Sequence, residues 1–273
     1  MTQDLRDIIF AALGDRRFTA RVGLAEPGVV CGVELAARKV EALGCRVRHA
    51  LADGDRVEAG RPVMVFEGTA KQVAMAEDCV AGALAKPSAI ARAIAEAQRR
   101  AGPRVRVVSG AAKKLPEEIR DQVRRAVHRG GGSGRIVDGP FVYLDKNYVR
   151  IFGSVAKTLA AVAGMVGYVK VIQLRGLIED IGAEAEAALA AGAEILMVDT
   201  GRLADLDRVA DLVCRAGRRM QTTIAFAGDI AMDDIAAIAA HDVDILDIGR
   251  AVLDAPMVDV KLDVVDGGTT DAD

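Results

Sequence analysis

Lys113 and Lys114 stand just ahead of a helix signal opened by Pro116, and Gly130, Gly131 and Gly132 follow it. Cationic side chains and bare backbone are what an anionic ligand needs. Arg135 adds a further positive charge past the glycines. Two later segments, AFAGDI at 225–230 and LDIGRA at 246–251, each end an apolar run on a small residue before a helical pattern. Gly228 and Gly249 therefore predict turns whose backbone N–H groups face a phosphate. Arg250 either adds charge there or begins a solvated helix. Asp199, in LMVDTG, is a carboxylate that suits Mg2+, ribose hydroxyls or the cap of the next helix. Asp145 and Lys146, closing FVYLDKN, either pair with each other or serve Mg2+ and a pyrophosphate leaving group.

The elements that must position these residues alternate. From 104 onward RVRVVS, FVYL, YVKVIQL, EILMV, TTIAF and DILDI are short apolar strands separated by helical patterns, among them 154–165, 203–216 and 231–240. Such repetition predicts a parallel sheet, either a βα barrel or a doubly wound sheet. In a barrel the ligand groups project from the C-terminal strand ends, which would gather residues 109–114, 145–147, Gln173, Asp199, 227–229 and Gly249 on one rim. The helix after Pro116 should bury Ile119, Val123, Ala126 and Val127. Before this region, 28–68 reads as short extended pieces broken by glycines, with turn chemistry at Asp53-Gly54-Asp55, and helices follow near 70–84 and 88–101. The expected organisation is an α+β, β-rich and sandwich-like N-terminal domain over 1–103, a parallel and possibly open βα barrel over 104–264, and a disordered tail over 265–273.

Composition bounds the partners. The chain has 273 residues, 51% of them hydrophobic, so a sizeable core is available. Its 36 basic and 39 acidic residues leave no global field to attract nucleic acid or an anionic membrane, so any phosphate site must be local. Aromatic residues make up 3%, too few for base-stacking platforms. Cys31, Cys45, Cys79 and Cys214 lack the close pairing of zinc or redox sites and read as free thiols in a reducing cytoplasm. No window has the length and apolarity of a membrane span.

Taken in order, DGDRVEAG, the basic residues before a helix leading to GGG, the strand ending in DKN, LMVDTG, AFAGDI and DVDILDIGRAVLDAPMVDVKLDV resemble the nicotinate-nucleotide pyrophosphorylase, or quinolinate phosphoribosyltransferase, family. The resemblance runs from about 25 to 264 and implies a small N-terminal domain followed by a barrel. It also implies transfer of a phosphoribosyl group from phosphoribosyl pyrophosphate to quinolinate with Mg2+, followed by loss of carbon dioxide, in a homodimer or larger homo-oligomer. By position, Lys114 would contact pyrophosphate or the acid, Lys113 would replace a substrate-binding arginine, and Arg135 would lie near another. Asp199 would serve ribose and metal, and Gly228 and Gly249 would line the 5′-phosphate site. The sequence also departs from the family pattern: Glu77 is followed by Asp78 instead of arginine, Asp145 and Lys146 are exchanged, and the phosphate loop carries Asp229. These departures leave open a divergent enzyme with another acceptor, or a phosphate-binding protein without turnover.

Overall fold

A computed structural model describes residues 4–266. As far as they are described, Met1–Ala95, Glu118–Gly131 and Ala255–Asp273 make one compact unit, and Glu96–Glu117 with Gly132–Asp254 make the other. The expected boundary at 103/104 cuts the chain once, whereas the units interleave. Of the tail expected over 265–273, Val265 and Asp266 close the last strand and the rest lies outside the described residues.

The first unit contains β1 (Arg17–Leu24), β2 (Gly28–Val29), β3 (Arg46–Ala50), β4 (Arg56–Val57) and β5 (Pro62–Thr69), helices α1 (Leu5–Ile9) and α2 (Val33–Ala42), α3 (Ala70–Ala101) as far as Ala95, and α4 (Glu117–Arg129) from Glu118. Its four-stranded antiparallel sheet runs C-terminal strand (Val260–Asp266), β1, β5, β3, and β2 pairs with β4. Ala20, Val22 and Leu24 alternate along β1 and are buried, which is the period that gives a sheet one apolar face. Two expectations need correction. The segment 28–68 is not wholly extended, because Val33–Ala42 is helical, with Val33, Ala36 and Val40 on its buried face. Asp53 starts that helix from a distance: its Oδ1 accepts from the N–H groups of Gly32 at 2.8 Å and Val33 at 2.7 Å. The sequence neighbours of α2 provide no such cap.

The helices expected near 70–84 and 88–101 are one helix, with Pro87 inside it. Proline removes a backbone donor and crowds the carbonyl four residues earlier. Tertiary bonds hold the segment on both sides of Pro87: Lys86 Nζ donates to Ala255 O at 2.8 Å, and Ser88 Oγ accepts from Cys31 N at 3.0 Å while donating to Cys31 O at 3.1 Å. The α4 stripe begins at Val123, leaving Ile119 41% exposed. Gly130 ends α4 against α3, where a Cβ would stand 2.4 Å from Ala91 O.

The second unit holds β6 (Arg106–Val108), β7 (Phe141–Leu144), β8 (Val169–Leu174), β9 (Ile195–Asp199), β10 (Thr223–Ala227) and β11 (Ile245–Asp247), all parallel, in the order β6-β11-β10-β9-β8-β7. Helices α5 (Lys146–Phe152), α6 (Val155–Ala160), α7 (Ile181–Ala190), α8 (Leu203–Arg215) and α9 (Ile235–Ala239) lie between strands β7 to β11, and α10 (Arg250–Leu253) follows β11. This is the expected barrel-like α/β domain, left open: β6 and β7 end the sheet, and β6 continues only as a bridge from Val108 to Ser133. The helix expected over 154–165 stops at Ala160, and that over 231–240 is a tight turn followed by α9. Val108, Val171, Ile195, Met197, Ala225, Ala227 and Ile245 pack together from successive strands. Among the described residues, no helix is long and apolar enough to cross a membrane.

Candidate active site

Side chains two apart on a strand share a face, so the packed core fixes which strand-end residues stand above it. Ile195 and Met197 precede Asp199, Val171 precedes Gln173, Ile245 precedes Asp247, and Ala225 precedes Ala227. Tyr143 packs against the same cluster. These five polar or small strand-end residues line a cavity of about 370 Å3, together with Lys113, Lys114, Gly228, Asp229, Gly249 and Arg250 from the following loops. Most of the rim expected from the strand pattern therefore lines one cavity within one unit; Ser109, Ala112 and 145–147 belong to that unit but do not line the cavity.

The loops after β9 and β10 close on each other through bare backbone. Gly201 N donates to Ala227 O at 3.0 Å, and a Cβ on Gly228 would lie 2.3 Å from Gly201 N. Gly228 also adopts a φ of 116°, so glycine is required twice over. On the other side, Lys114 Nζ stands 3.9 Å from where a Cβ on Gly249 would be, which brings an ammonium to the turn after β11.

Asp199 is held from β8 and the loop beyond it. Gln173 Nε2 donates to its Oδ2, Arg175 Nη1 donates to the same oxygen at 3.2 Å, and Gln173 Oε1 accepts from Lys146 N at 2.7 Å. Both bonds to the carboxylate fall on Oδ2, which orients Oδ1 for another partner. The Arg175 loop is in turn fixed by Glu184, 2% exposed, whose carboxylate accepts from the N–H groups of Arg175 at 2.9 Å, Gly176 at 2.8 Å and Leu177 at 3.1 Å. Replacing Glu184 with alanine leaves three donors without their acceptor, and an expected loss of about 3 kcal/mol follows. Chemical denaturation checks this, and a midpoint equal to that of the parent would refute the anchoring role.

Asp247, half-buried, accepts from Gly110 N at 3.1 Å. Burial pushes its carboxyl above the usual range, while the Gly110 bond, Lys113 and Lys114 oppose the rise. Burial likewise raises the Tyr143 hydroxyl, helped by Asp247, Asp199 and Asp145, so this phenol stays protonated. Lys113 Nζ lies 6.0 Å from the Tyr143 ring centre. Tyr143, Asp247 and Arg175 were not among the residues singled out from sequence. The two-residue period counted back from Asp145 and Gly249 carries the signal for the first two. Arg175 had none.

The remaining expected residues lie elsewhere. Asp145 Oδ1 caps α5, accepting from Asn147 N at 2.8 Å and Tyr148 N at 3.3 Å, and neither Asp145 nor Lys146 lines the cavity. Arg135 stacks over Phe141, 5.1 Å from the ring centre, at the opposite, N-terminal end of β7. Gly130 and Gly131 belong to the first unit, the former in the close approach to α3 and the latter at a φ of 89°.

Residues 7–88 match the profile of the quinolinate phosphoribosyl transferase N-terminal domain, and residues 89–263 match that of its C-terminal domain. The chain belongs to the quinolinate phosphoribosyltransferase family. This family of pentosyltransferases includes a probable carboxylating nicotinate-nucleotide pyrophosphorylase of Methanothermobacter thermautotrophicus, 26% identical over 264 residues that cover 94% of this chain and 93% of that protein. The carboxylating nicotinate-nucleotide pyrophosphorylase of Mycobacterium leprae is 27% identical over 249 residues, covering 88% of this chain and 84% of the relative. The family fold is shared with the nicotinate-nucleotide pyrophosphorylase of Pyrococcus furiosus, whose crystal structure superposes with a TM-score of 0.82 at 22% identity, over 97% of this chain and 74% of that one.

Proposed function

We propose that this chain is a phosphoribosyltransferase that moves the phosphoribosyl group of phosphoribosyl pyrophosphate to the ring nitrogen of a pyridine carboxylate such as quinolinate. The observation that carries the reading is the convergence of Lys113, Lys114, Asp199, Gly228, Gly249 and Arg250 on one cavity. The bond from ribose C1′ to pyrophosphate oxygen breaks with its electron pair leaving on pyrophosphate, and a nitrogen–C1′ bond forms. With quinolinate, the carboxylate beside the ring nitrogen then leaves as carbon dioxide and a proton takes its place.

Lys114 and Lys113 stabilise the departing pyrophosphate, whose charge grows as the bond breaks. The turns at Gly228 and Gly249, with Arg250, hold the 5′-phosphate, and Asp199 meets the ribose hydroxyls through Oδ1. This fixed placement of both ends of the donor is what converts an encounter into a reactive complex. The carboxylate oxygens of Asp199 and Asp247 suit Mg2+, which takes few protein ligands when substrate phosphates and water complete its shell. Among the described residues there is no group of three or more His, Cys, Asp or Glu placed to hold a metal unaided, and Asp145 is engaged as a helix cap. When bound, the ion would neutralise charge on the pyrophosphate.

A second reading, with another acceptor, draws support from charge. Three cations, Lys113, Lys114 and Arg250, face three carboxylates, Asp199, Asp229 and Asp247, in the cavity, which leaves little surplus for a dicarboxylate. Four free cysteines support a reducing cytoplasmic location, and the family implies a homodimer or larger homo-oligomer. Pyrophosphate release from the donor, with quinolinate and then with nicotinate, tests the reaction, and a thermal-shift series with Mg2+ reports binding. Turnover with quinolinate establishes the first reading, and donor stabilisation with turnover of another ring acid establishes the second. No response to any phosphate compound refutes both and leaves a non-catalytic fold.

A further inference from the structure

Asp229 and Arg250 follow the neighbouring strands β10 and β11, and both line the cavity. Arg250 Nη2 donates to both oxygens of the Asp229 carboxylate, at 2.7 and 2.5 Å. Among the described residues Asp229 is the non-glycine position with positive φ, at 56°. Side chains other than Asn and Asp adopt that region reluctantly, so the backbone itself favours an acid or its amide here. The turn thus presents a carboxylate to the arginine that the phosphate would need.

The pair is easily broken. Its side chains are 67% and 68% exposed, so water competes for both partners and the ion pair is weak. A phosphate monoester offers the same guanidinium more negative charge and three terminal acceptor oxygens against the carboxylate's two. Lys114, beside Gly249, adds attraction for that dianion. A carboxylate and a phosphate cannot both sit against Arg250 Nη2 without repelling each other.

We propose that Asp229 is an internal competitor for the phosphate subsite: it occupies Arg250 in the free protein, is displaced when a phosphate dianion enters, and thereby sets the affinity for the phosphorylated sugar. This rests on the phosphoribosyl reading above. It also makes the site discriminate by charge, because a neutral or singly charged group has no more charge to offer Arg250 than Asp229 does.

The test is a calorimetric double-mutant cycle with ribose 5-phosphate on the full chain: parent, Asp229→Asn, Arg250→Gln and the double variant. Asparagine keeps the shape and tolerates the positive φ, so folding is preserved. Asp229→Asn should bind ribose 5-phosphate roughly threefold to tenfold more tightly than the parent, the size of an exposed pair plus removed repulsion. The gain should shrink at about 0.5 M salt. It should also shrink in the Arg250→Gln background, where there is no guanidinium to compete for. Equal or weaker binding by Asp229→Asn, an undiminished gain without Arg250, or no ribose 5-phosphate binding by any of the four overturns the proposal. If the gain appears while the parent releases no pyrophosphate with any pyridine acid, the reaction assigned above fails and the competition stands.

Discussion

Replacing Lys114 with alanine lowers kcat/KM for phosphoribosyl pyrophosphate by about a thousandfold, the scale of losing one well-placed charge donor to a leaving group. The ammonium lies beside the turn at Gly249 and lines the same cavity as Asp199, so it can meet the pyrophosphate as negative charge develops. Part of the effect should fall on kcat, because the contact strengthens as the bond to C1′ breaks. Lys114 is exposed, and its removal creates no void, so the melting temperature should stay near that of the parent. Pyrophosphate release measured across donor concentrations separates the two constants. A kcat/KM within about threefold of the parent would remove Lys114 from the reaction.

Replacing Gly228 with alanine destabilises the protein by about 3 kcal/mol or more, combining strain at a positive φ with steric overlap. The new methyl group would meet the backbone of the loop after β9: 2.3 Å from Gly201 N, 2.7 Å from Gly201 Cα and 2.9 Å from Thr200 C. None of these atoms can rotate away as a side chain would. The loops after β9 and β10 must part, which also displaces Asp199 and Asp229 from the cavity. A fall in melting temperature of roughly 5–10 °C is expected from that cost. A variant that melts within about 1 °C of the parent would show that the two turns are not locked together.

The contrast between these two residues explains what could be read from sequence. Gly228 and Gly249 were legible because each follows an apolar run and precedes a helix, a local signature of a turn. Asp199, Lys113 and Lys114 were legible for the same reason, standing at strand ends or just before a helix. Arg135 and Asp145 carried the same charges in similar settings, yet one stacks on Phe141 at the far end of β7 and the other caps α5. Charge and spacing cannot tell a cavity-facing side chain from one already engaged locally. Asp247 and Tyr143 escaped notice because each looks like the polar member of an ordinary alternating strand.

The helices show a similar limit. Pro87 ordinarily signals a break, but α3 runs through it because Lys86 and Ser88 find partners far away in sequence. Val33–Ala42 lies within the stretch that reads as extended pieces broken by glycines, and its helix is capped by Asp53, twenty residues after Val33. Local propensity is a weak force that such distant bonds override.

By itself, the sequence determined the alternation of strands and helices, the apolar period that makes a barrel-like sheet, and the glycine turns at its C-terminal edge. These follow from backbone sterics and side-chain burial acting over a few residues. The tertiary structure alone decided which charges share the cavity, that Glu184 anchors the loop holding Arg175 to Asp199, that Arg250 is engaged by Asp229, and that the last strand returns to pair with β1. Those are contacts between segments distant in sequence, and their geometry exists only once the sheet has set the register of its strands.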